Sequence, residues 1–430
     1  MRRAAISAVG LFVLLAHPTV SFAGTGVSLN VGIVGSNSST GLDDPVTVIK
    51  LPEVAKVMQA IADQPRTEQF IRQSLEMSDV GLEDLERLLL VQRRGGLYYL
   101  AFAYFTIEDH ALILRTLAPH VDALVAAYQS RWPEFETIFQ QYDIDSVPDV
   151  VLAYVIIGAF SMDWDGLDIT AAKGLRTVAK EQASGDRFLL WAQETGPEAS
   201  LREIYWGSHN DIVNDVRFVT FGDHDIEDRW GFPDLLWRVS SAVIHMQAAP
   251  ANVSLAANHA MLSYYHNDML ADIGQLLLSA RNGATSLDDF HKTTSIDRDR
   301  IDQLLRLLTE LQYFEESDGV FQLLVPVLGE QDEGMLHSAL QLSEHILAEW
   351  LDNHYEPMKS DLASLTAVQQ GIPYCDLYTQ IWHYTFGLAN RNLARAGYFV
   401  NPYEEGRNSP GFVPFAFTVG IYADESGLAP

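Results

Sequence analysis

The densest group of chemistry-bearing side chains is Phe221-Gly222-Asp223-His224-Asp225-Ile226-Glu227-Asp228-Arg229-Trp230, which packs four carboxylates and one imidazole into a short stretch. His209 and Asp211 lie a little upstream. Clustered carboxylate oxygens suit Ca²⁺, and imidazole with carboxylates suits Zn²⁺ or Mn²⁺. The candidate metal ligands are therefore His209, Asp223, His224, Asp225 and Asp228. Their convergence requires a strand over 217–221 to pair back towards 203–206. The competing reading is a solvated acidic turn between that strand and a helix over Pro233–Val239, with Asp residues near the helix N-terminus and Arg217 and Arg229 as neutralising groups. The ligand spacing follows no regular metal motif, which favours the turn. The expectation is no cofactor, with a divalent cation as the alternative.

Weaker candidates lie elsewhere. Asp163-Trp164-Asp165-Gly166-Leu167-Asp168 has the look of a calcium loop but lacks the distal bidentate Glu. His259 and His266, seven apart, share a helical face and with Tyr264 and Tyr265 could line a pocket; satisfied core or interface groups are the commoner case. His120 and His345 each fall near the end of a long amphipathic pattern, and such recurrence points to structure rather than to an active site. No Gly-x-Ser-x-Gly, Walker loop, His-Glu-x-x-His or Cys-x-x-Cys occurs, so the catalytic residues stay unassigned.

The elements that would carry these residues repeat. His120 and His345 are 225 apart, Pro133 and Pro357 are 224 apart, and Pro148 and Pro373 are 225 apart. Phe70 and Phe290 differ by 220, and Leu51-x-x-Val54-x-x-Val57-Met58 precedes Leu270-x-x-Ile273-x-x-Leu276-Leu277 by 219. A fold duplicated in tandem with small indels accounts for all of them. In the second copy, Leu270–Ser279 has helical apolar spacing, and Thr285-Ser286 caps a short helix bearing Leu287 and Phe290. Ile301, Leu304, Leu305, Leu308 and Leu311 form one face of a third helix. Ser317-Asp318-Gly319 between Tyr313-Phe314 and Val320–Leu323 reads as a hairpin. The first copy offers helices over 51–62, 67–76 and 81–93, a Gly95-Gly96 turn and a strand over Leu97–Phe105. Three helices and a hairpin resemble the winged helix-turn-helix fold over 270–325, a resemblance to a fold and to no particular family.

Each unit leads into long helices, with stripes at Leu117–Trp132 and Leu336–Leu351, then Val150–Phe160 and Leu377–Leu388. The expected fold class is mainly α with small β-hairpins (α+β): two homologous winged-helix-like halves, each followed by long helices, joined by a mixed α/β segment. The boundaries are a signal peptide over 1–23, a flexible lead-in over 24–50, the first repeat over 51–184, the mixed linking segment over 185–253, and the second repeat with C-terminal strands over 254–430.

Met1-Arg2-Arg3, an apolar stretch to Val20 and Ser21-Phe22-Ala23 make a secretory signal cleaved before Gly24. The expected compartment is periplasmic or extracellular, with no integral membrane span after cleavage. Cleavage removes two Arg and no acid, taking the net charge from −29 to −31. That charge disfavours nucleic acid, because phosphate binding runs on clustered Lys and Arg. Both candidate groove-reading helices are net acidic as well, Asp79–Arg94 and Asp297–Leu311. Cys375, the only cysteine, excludes an internal disulfide and reads as a buried small hydrophobe. The functional expectation is an exported, non-enzymatic protein that binds a protein partner or self-associates. The alternative is a metal-binding protein or metal-dependent hydrolase centred on 209–228. A DNA-binding regulator ranks third.

Overall fold

The computed structural model describes residues 20–21, 28–182, 184–196, 204–223, 255–404 and 411–422. They form a mixed α+β architecture in which helices pack around several small sheets. The first part runs β1 (Val20–Ser21), β2 (Ser28–Ser36), α1 (Pro45–Ile49), α2 (Pro52–Asp63), β3 (Arg66–Thr67), α3 (Glu68–Ser74), α4 (Leu82–Arg87), β4 (Val91–Arg94), β5 (Leu97–Leu100) and β6 (Ala103–Phe105). Helices α5 (Ile107–Ser130), α6 (Trp132–Phe139) and α7 (Asp149–Ala172) follow, then β7 (Lys180–Glu181) and β8 (Arg187–Thr195). The second part runs β9 (Tyr205–Val213), β10 (Val216–Asp223), α8 (Leu255–Arg281), α9 (Leu287–Thr293), α10 (Arg298–Glu310), β11 (Phe314–Ser317), β12 (Val320–Leu323) and β13 (Val327–Leu328). It ends with α11 (Glu333–Asp361), α12 (Thr366–Gln369), α13 (Tyr374–Arg395) and β14 (Phe412–Thr418).

Local chemistry sets these boundaries. Thr106 Oγ1 accepts the Asp109 N–H at 3.1 Å while Asp109 accepts the Thr106 N–H at 3.0 Å, a reciprocal cap that starts α5. Buried Ile113, Leu117, Val121, Leu124 and Tyr128 then recur at helical spacing. Pro148 and Pro373, with extended ψ, stand immediately before α7 and α13. Gly95-Gly96 and Asp318-Gly319 hold positive φ at both central turn positions, the geometry that folds a tight hairpin without splaying its strands.

Two sheets organise the core. The first has the order β1-β2-β8-β6, with β2 and β8 antiparallel over nine residues and β6 parallel to β8. The second has the order β13-β14-β10-β9, with β13 parallel to β14 and the other pairs antiparallel. Strand alternation makes β8 a shared wall: Phe188, Leu190 and Ala192 belong to a small core with α1–α4, and Trp191 to the large one. Helix α7 covers one face of the second sheet, with Tyr154 5.2 Å from Phe221 and Phe160 4.9 Å from Phe417, ring centre to ring centre. Helix α8 covers the other face, where Gly274 sits against Val216 and Phe218. Helix α13 runs antiparallel to α7, and Trp382 Nε1 donates to the Met162 carbonyl at 2.9 Å. That approach needs Gly166, whose missing Cβ would lie 2.5 Å from the Trp382 ring.

Several expectations are corrected. Residues 28–36 and 45–49 of the expected flexible lead-in form β2 and α1, because Leu29 and Val31 supply core side chains. The third helix of the first unit stops at Arg87 rather than 93, ending where Leu89 turns to a φ of 55°. Asp163–Asp168, with its loop-like spacing, lies inside α7, whose middle Tyr154–Asp165 is wound as a π-helix. A helical backbone cannot wrap those carboxylates around one ion as a calcium loop does. His120 and His345 lie in mid-helix rather than near helix ends, and their surroundings differ: His120 is buried and His345 exposed. Helices α5 and α7 are both long and apolar enough to cross a membrane. In α7, 83% of the most apolar window is buried inside the protein, against 33% in α5, so α7 is a core helix. The expected leader falls on 1–23, of which only Val20–Ser21 are described.

Candidate functional site

Among the predicted ligands, His224, Asp225 and Asp228 lie outside the described residues, as does the expected helix over 233–239. The other two sit on adjacent strands. His209 on β9 is opposite Thr220, and Asp223 ends β10 opposite Tyr205, past a register shift after Gly222. The strand pairs back, but 217–221 lies opposite 208–212 rather than 203–206, and only Asp223 reaches Tyr205. It leaves His209 four residues along β9 from the position that faces Asp223, about 13 Å at the usual strand rise. Strand side chains stand across the sheet rather than along it, so these two alone do not converge. Asp223 is fully buried, with its carboxylate accepting from the Tyr403 hydroxyl and its N–H donating to the Gly411 carbonyl at 2.7 Å. Among the described residues no group of three or more His, Cys, Asp or Glu is arranged to hold a metal.

The polar groups the fold does bring together are buried in the helical core. Ser208 on β9 donates to Asp163 Oδ2 at 3.1 Å and accepts from Trp164 Nε1 at 3.3 Å. Burial pushes the Asp163 carboxyl up to about 8, only partly offset by the Ser208 bond, so it is largely protonated at neutral pH. Arg217, also buried, lies over the rings of Trp164 and Phe417. Near the start of α5, His110 Nε2 meets the Glu194 carbonyl at 3.2 Å, which assigns the proton to Nε2 and leaves Nδ1 to accept from Tyr384. Burial lowers His110 to about 4, so the ring stays neutral. The Glu194 carboxylate accepts from Tyr104 at 2.9 Å and the Ile107 N–H at 3.2 Å, and burial raises its pKa.

Two further contacts join α5 to α11. His120 Nδ1 and His354 Nδ1 lie 2.9 Å apart, so one donates and the other accepts. His354 stacks on Trp350 and is held below the ordinary histidine range by burial and by His120. One helical stretch away, the Tyr128 hydroxyl, Ser343 and Ser161 form a hydroxyl chain with no solvent exposure. His266, for which a satisfied core or interface group is the commoner reading and a pocket the other, is buried and meets Asp211 at 3.3 Å; the side chain of His259 is outside the described set. A surface pocket of ≈ 510 Å³ opens where α11 ends and α13 begins, lined by Glu356, Lys359, Ser360, Val368, Ile372 and Tyr374. Its Lys359 ammonium is already paired with Glu356 at 3.1 Å.

Sequence reading missed His110, Glu194, Tyr384 and His354 because each meets partners far along the chain. Asp163 carried a signal: it is the one acid between Asp149 and Trp164 in an otherwise apolar helix. No family model, no curated protein and no solved structure matches the chain.

Proposed function

We propose that the chain is a non-enzymatic binding or assembly protein, built by duplication of a winged-helix-like unit with its own strands and long helices. The observation that carries this reading is a shared register of 223 residues between structural details that sequence spacing does not dictate. Leu89 and Gln312 are 223 apart and are two of only four non-glycine residues with positive φ among the described residues. Each follows a helix closed by the same bond: Leu90 N–H to Leu85 carbonyl at 2.9 Å, and Tyr313 N–H to Leu308 carbonyl at 2.8 Å. The hairpin turns Gly95-Gly96 and Asp318-Gly319 keep that register, as do the capping acids Asp109 and Asp332. Tyr98 pairs with Arg66, and Phe321, 223 beyond Tyr98, donates to Thr285 at 2.8 Å.

The sheets add to it. β6-β8-β2-β1 and β13-β14-β10-β9 have the same sequence of one parallel and two antiparallel pairings. Val400 N–H donates to the Val150 carbonyl at 3.0 Å, and Thr177 N–H to the Cys375 carbonyl at 2.9 Å, a pair of contacts related by exchange of the halves. On this reading the halves meet about an internal pseudo-two-fold, as two protomers of a homodimer would. The position matching His120 is then Ser343 rather than His345. The repeat is also larger than its helices: the expected lead-in contributes β2, and the linking segment contributes β8 and the hairpin β9–β10.

Such a molecule devotes its paired helices to holding itself together and offers its hairpins and outer surfaces to partners, in line with the expected export. A photo-crosslinking residue placed at Met77, 90% exposed, or at Val320 on the second hairpin tests this. A discrete adduct in the native compartment, competed by excess unlabelled protein, is expected. Calorimetric titration of Ca²⁺, Mn²⁺ and Zn²⁺ into chelator-treated protein tests the alternative. Tight binding that disappears in D223N, with no adduct from either position, would replace the assembly reading with a metal-centred one.

A further inference from the structure

The two hairpins that match under the repeat carry opposite charge. Hairpin β4–β5, over Val91–Leu100, holds Arg93 and Arg94 and no acid. Hairpin β11–β12, over Phe314–Leu323, holds Glu315, Glu316 and Asp318 and no base. At the shared offset of 223 (316 − 93 and 318 − 95), Glu316 stands where Arg93 does and Asp318 where Gly95 does. Both tips face solvent: Arg93 to Gly96 are exposed, and so are Glu315 to Val320. Strand alternation sends the two arginines to opposite faces of the first hairpin. There Arg93 lies over the Tyr98 ring at 5.9 Å and Arg94 over the Tyr99 ring at 5.1 Å. Those rings restrict guanidinium groups that would otherwise swing freely, so less side-chain entropy is lost when a carboxylate docks. The charges are available as well. Arg93 is 3.8 Å from Glu68, an exposed pair of little strength, and Glu68 has a closer partner in Arg72 at 2.9 Å. Among the described residues, no basic side chain pairs with Glu315, Glu316 or Asp318.

We propose that the basic hairpin β4–β5 of one copy docks on the acidic hairpin β11–β12 of a second copy, joining chains head to tail. This deepens the assembly reading and rests on it. Complementary charge selects the occupant. The second copy brings three carboxylates without a basic partner, on a hairpin of the same build, at the same concentration as the arginines that meet them. Specificity comes from the divergence of the halves. Like hairpins repel, the arginines against arginines and the acids against acids, so pairing of identical hairpins is disfavoured and the unlike pairing remains. Each copy offers one hairpin of either sign, so the contact propagates from copy to copy unless geometry closes a ring. Two hairpin tips bury less than a standard interface, which makes each contact weak and the assembly dependent on concentration.

Salt alone does not test this, because it screens the attraction between hairpins and the repulsion between two chains of −29 alike. Charge reversal does. Arg93→Glu leaves Glu68 with Arg72 and spares Arg94, whose guanidinium lies against Gly371. Glu315→Arg/Glu316→Arg reverses the other hairpin. Sedimentation of the full chain over a range of concentrations should show the native protein associating, and each variant alone doing so at least about tenfold more weakly. An equimolar mixture of the two variants should recover much of the native association, since the intact hairpin of each then meets the intact hairpin of the other. Recovery also shows that both variants are folded. Should either variant unfold early, Arg93→Gln and Glu315→Gln/Glu316→Gln, which remove charge without reversing it, should each show a smaller loss. A native chain that stays monomeric overturns the proposal. So does association that no substitution weakens, or a mixture of folded variants that recovers none of the loss. A monomer whose crosslinker at Val320 captures a different protein overturns self-docking and leaves the binding reading standing.

Discussion

Asp163→Asn should stabilise the protein increasingly as pH rises. Asp163 is 4% exposed, and its carboxyl is pushed from 3.8 to about 8 by burial inside α7. Its folded pKa is raised, so the stability it contributes is fully present below pH 3.8 and is lost as pH rises through about 8. Each unit of pH in that window costs about 1.4 kcal/mol, because the unfolded chain releases a proton that the folded chain retains. Between pH 5 and pH 8 the native protein should lose ~4 kcal/mol from this group alone. Asparagine removes the titration and keeps an oxygen to accept from Ser208. It adds a buried amide N–H₂ that costs about 1–3 kcal/mol if unpaired, but at every pH alike. The quantity to measure is therefore the change in the stability difference between variant and native protein from pH 5 to pH 8, by urea unfolding. A gain for the variant of several kcal/mol across that range is expected. A difference that does not vary with pH would mean that Asp163 is ionised in the fold, and the sealed-core account of α7 would fail.

His110 and His383, both buried and both lowered to about 4, work in the opposite direction: their stability is present above pH 6.5 and lost as pH falls towards 4, by up to ~3 kcal/mol each. Histidine ring NMR signals that titrate near 6.5 for both residues would contradict this. Gly166→Ala would ordinarily favour a helix, yet its Cβ meets the Trp382 ring at 2.5 Å, so a net loss of about 1–3 kcal/mol is expected in thermal or urea unfolding. Arg281→Met strands buried Asp332, now held by the guanidinium at 2.9 Å, and should cost about 3–5 kcal/mol; Arg281→Met/Asp332→Leu should recover much of it. If the double variant is no better than the single one, the loss comes from packing over Tyr142 and from the Gly329 N–H that Asp332 caps.

The helix stripes were legible because 3.6-residue spacing is a local property. Ile301, Leu304, Leu305 and Leu308 announce α10, and Asp318-Gly319 announces its hairpin. The N-terminal strand was not legible, because Gly32, Gly35 and the serines around them have the composition of a linker. Only Phe188–Gln193, more than 150 residues away, makes that segment a strand. The π-wound middle of α7 was similarly hidden: an apolar run on all sides has no periodicity from which to read its winding. Density of charge singles out 209–228 in the sequence, yet the buried polar contacts that the fold builds draw one residue at a time from α5, α7, β8, α11 and α13.

The parallel strand pairs have a kinetic consequence. Ala103 waits for Trp191, and Val327 for Ala416, each across nearly ninety residues of intervening helix. Pairings that distant close slowly, because the loop entropy is lost before the contact repays it. As the chain is synthesised, the first sheet can complete once Thr195 has emerged, before most of the second half exists. The second sheet cannot, because its inner strand Phe412–Thr418, flanked on both sides by partners, is also its last. Until that strand arrives, β10 and β13 have apolar surface and no neighbour between them, which makes the interval just before completion the one most exposed to aggregation and to proteases. A chain cut short before Phe412 would remain in that state, with the first half folded and the second held open.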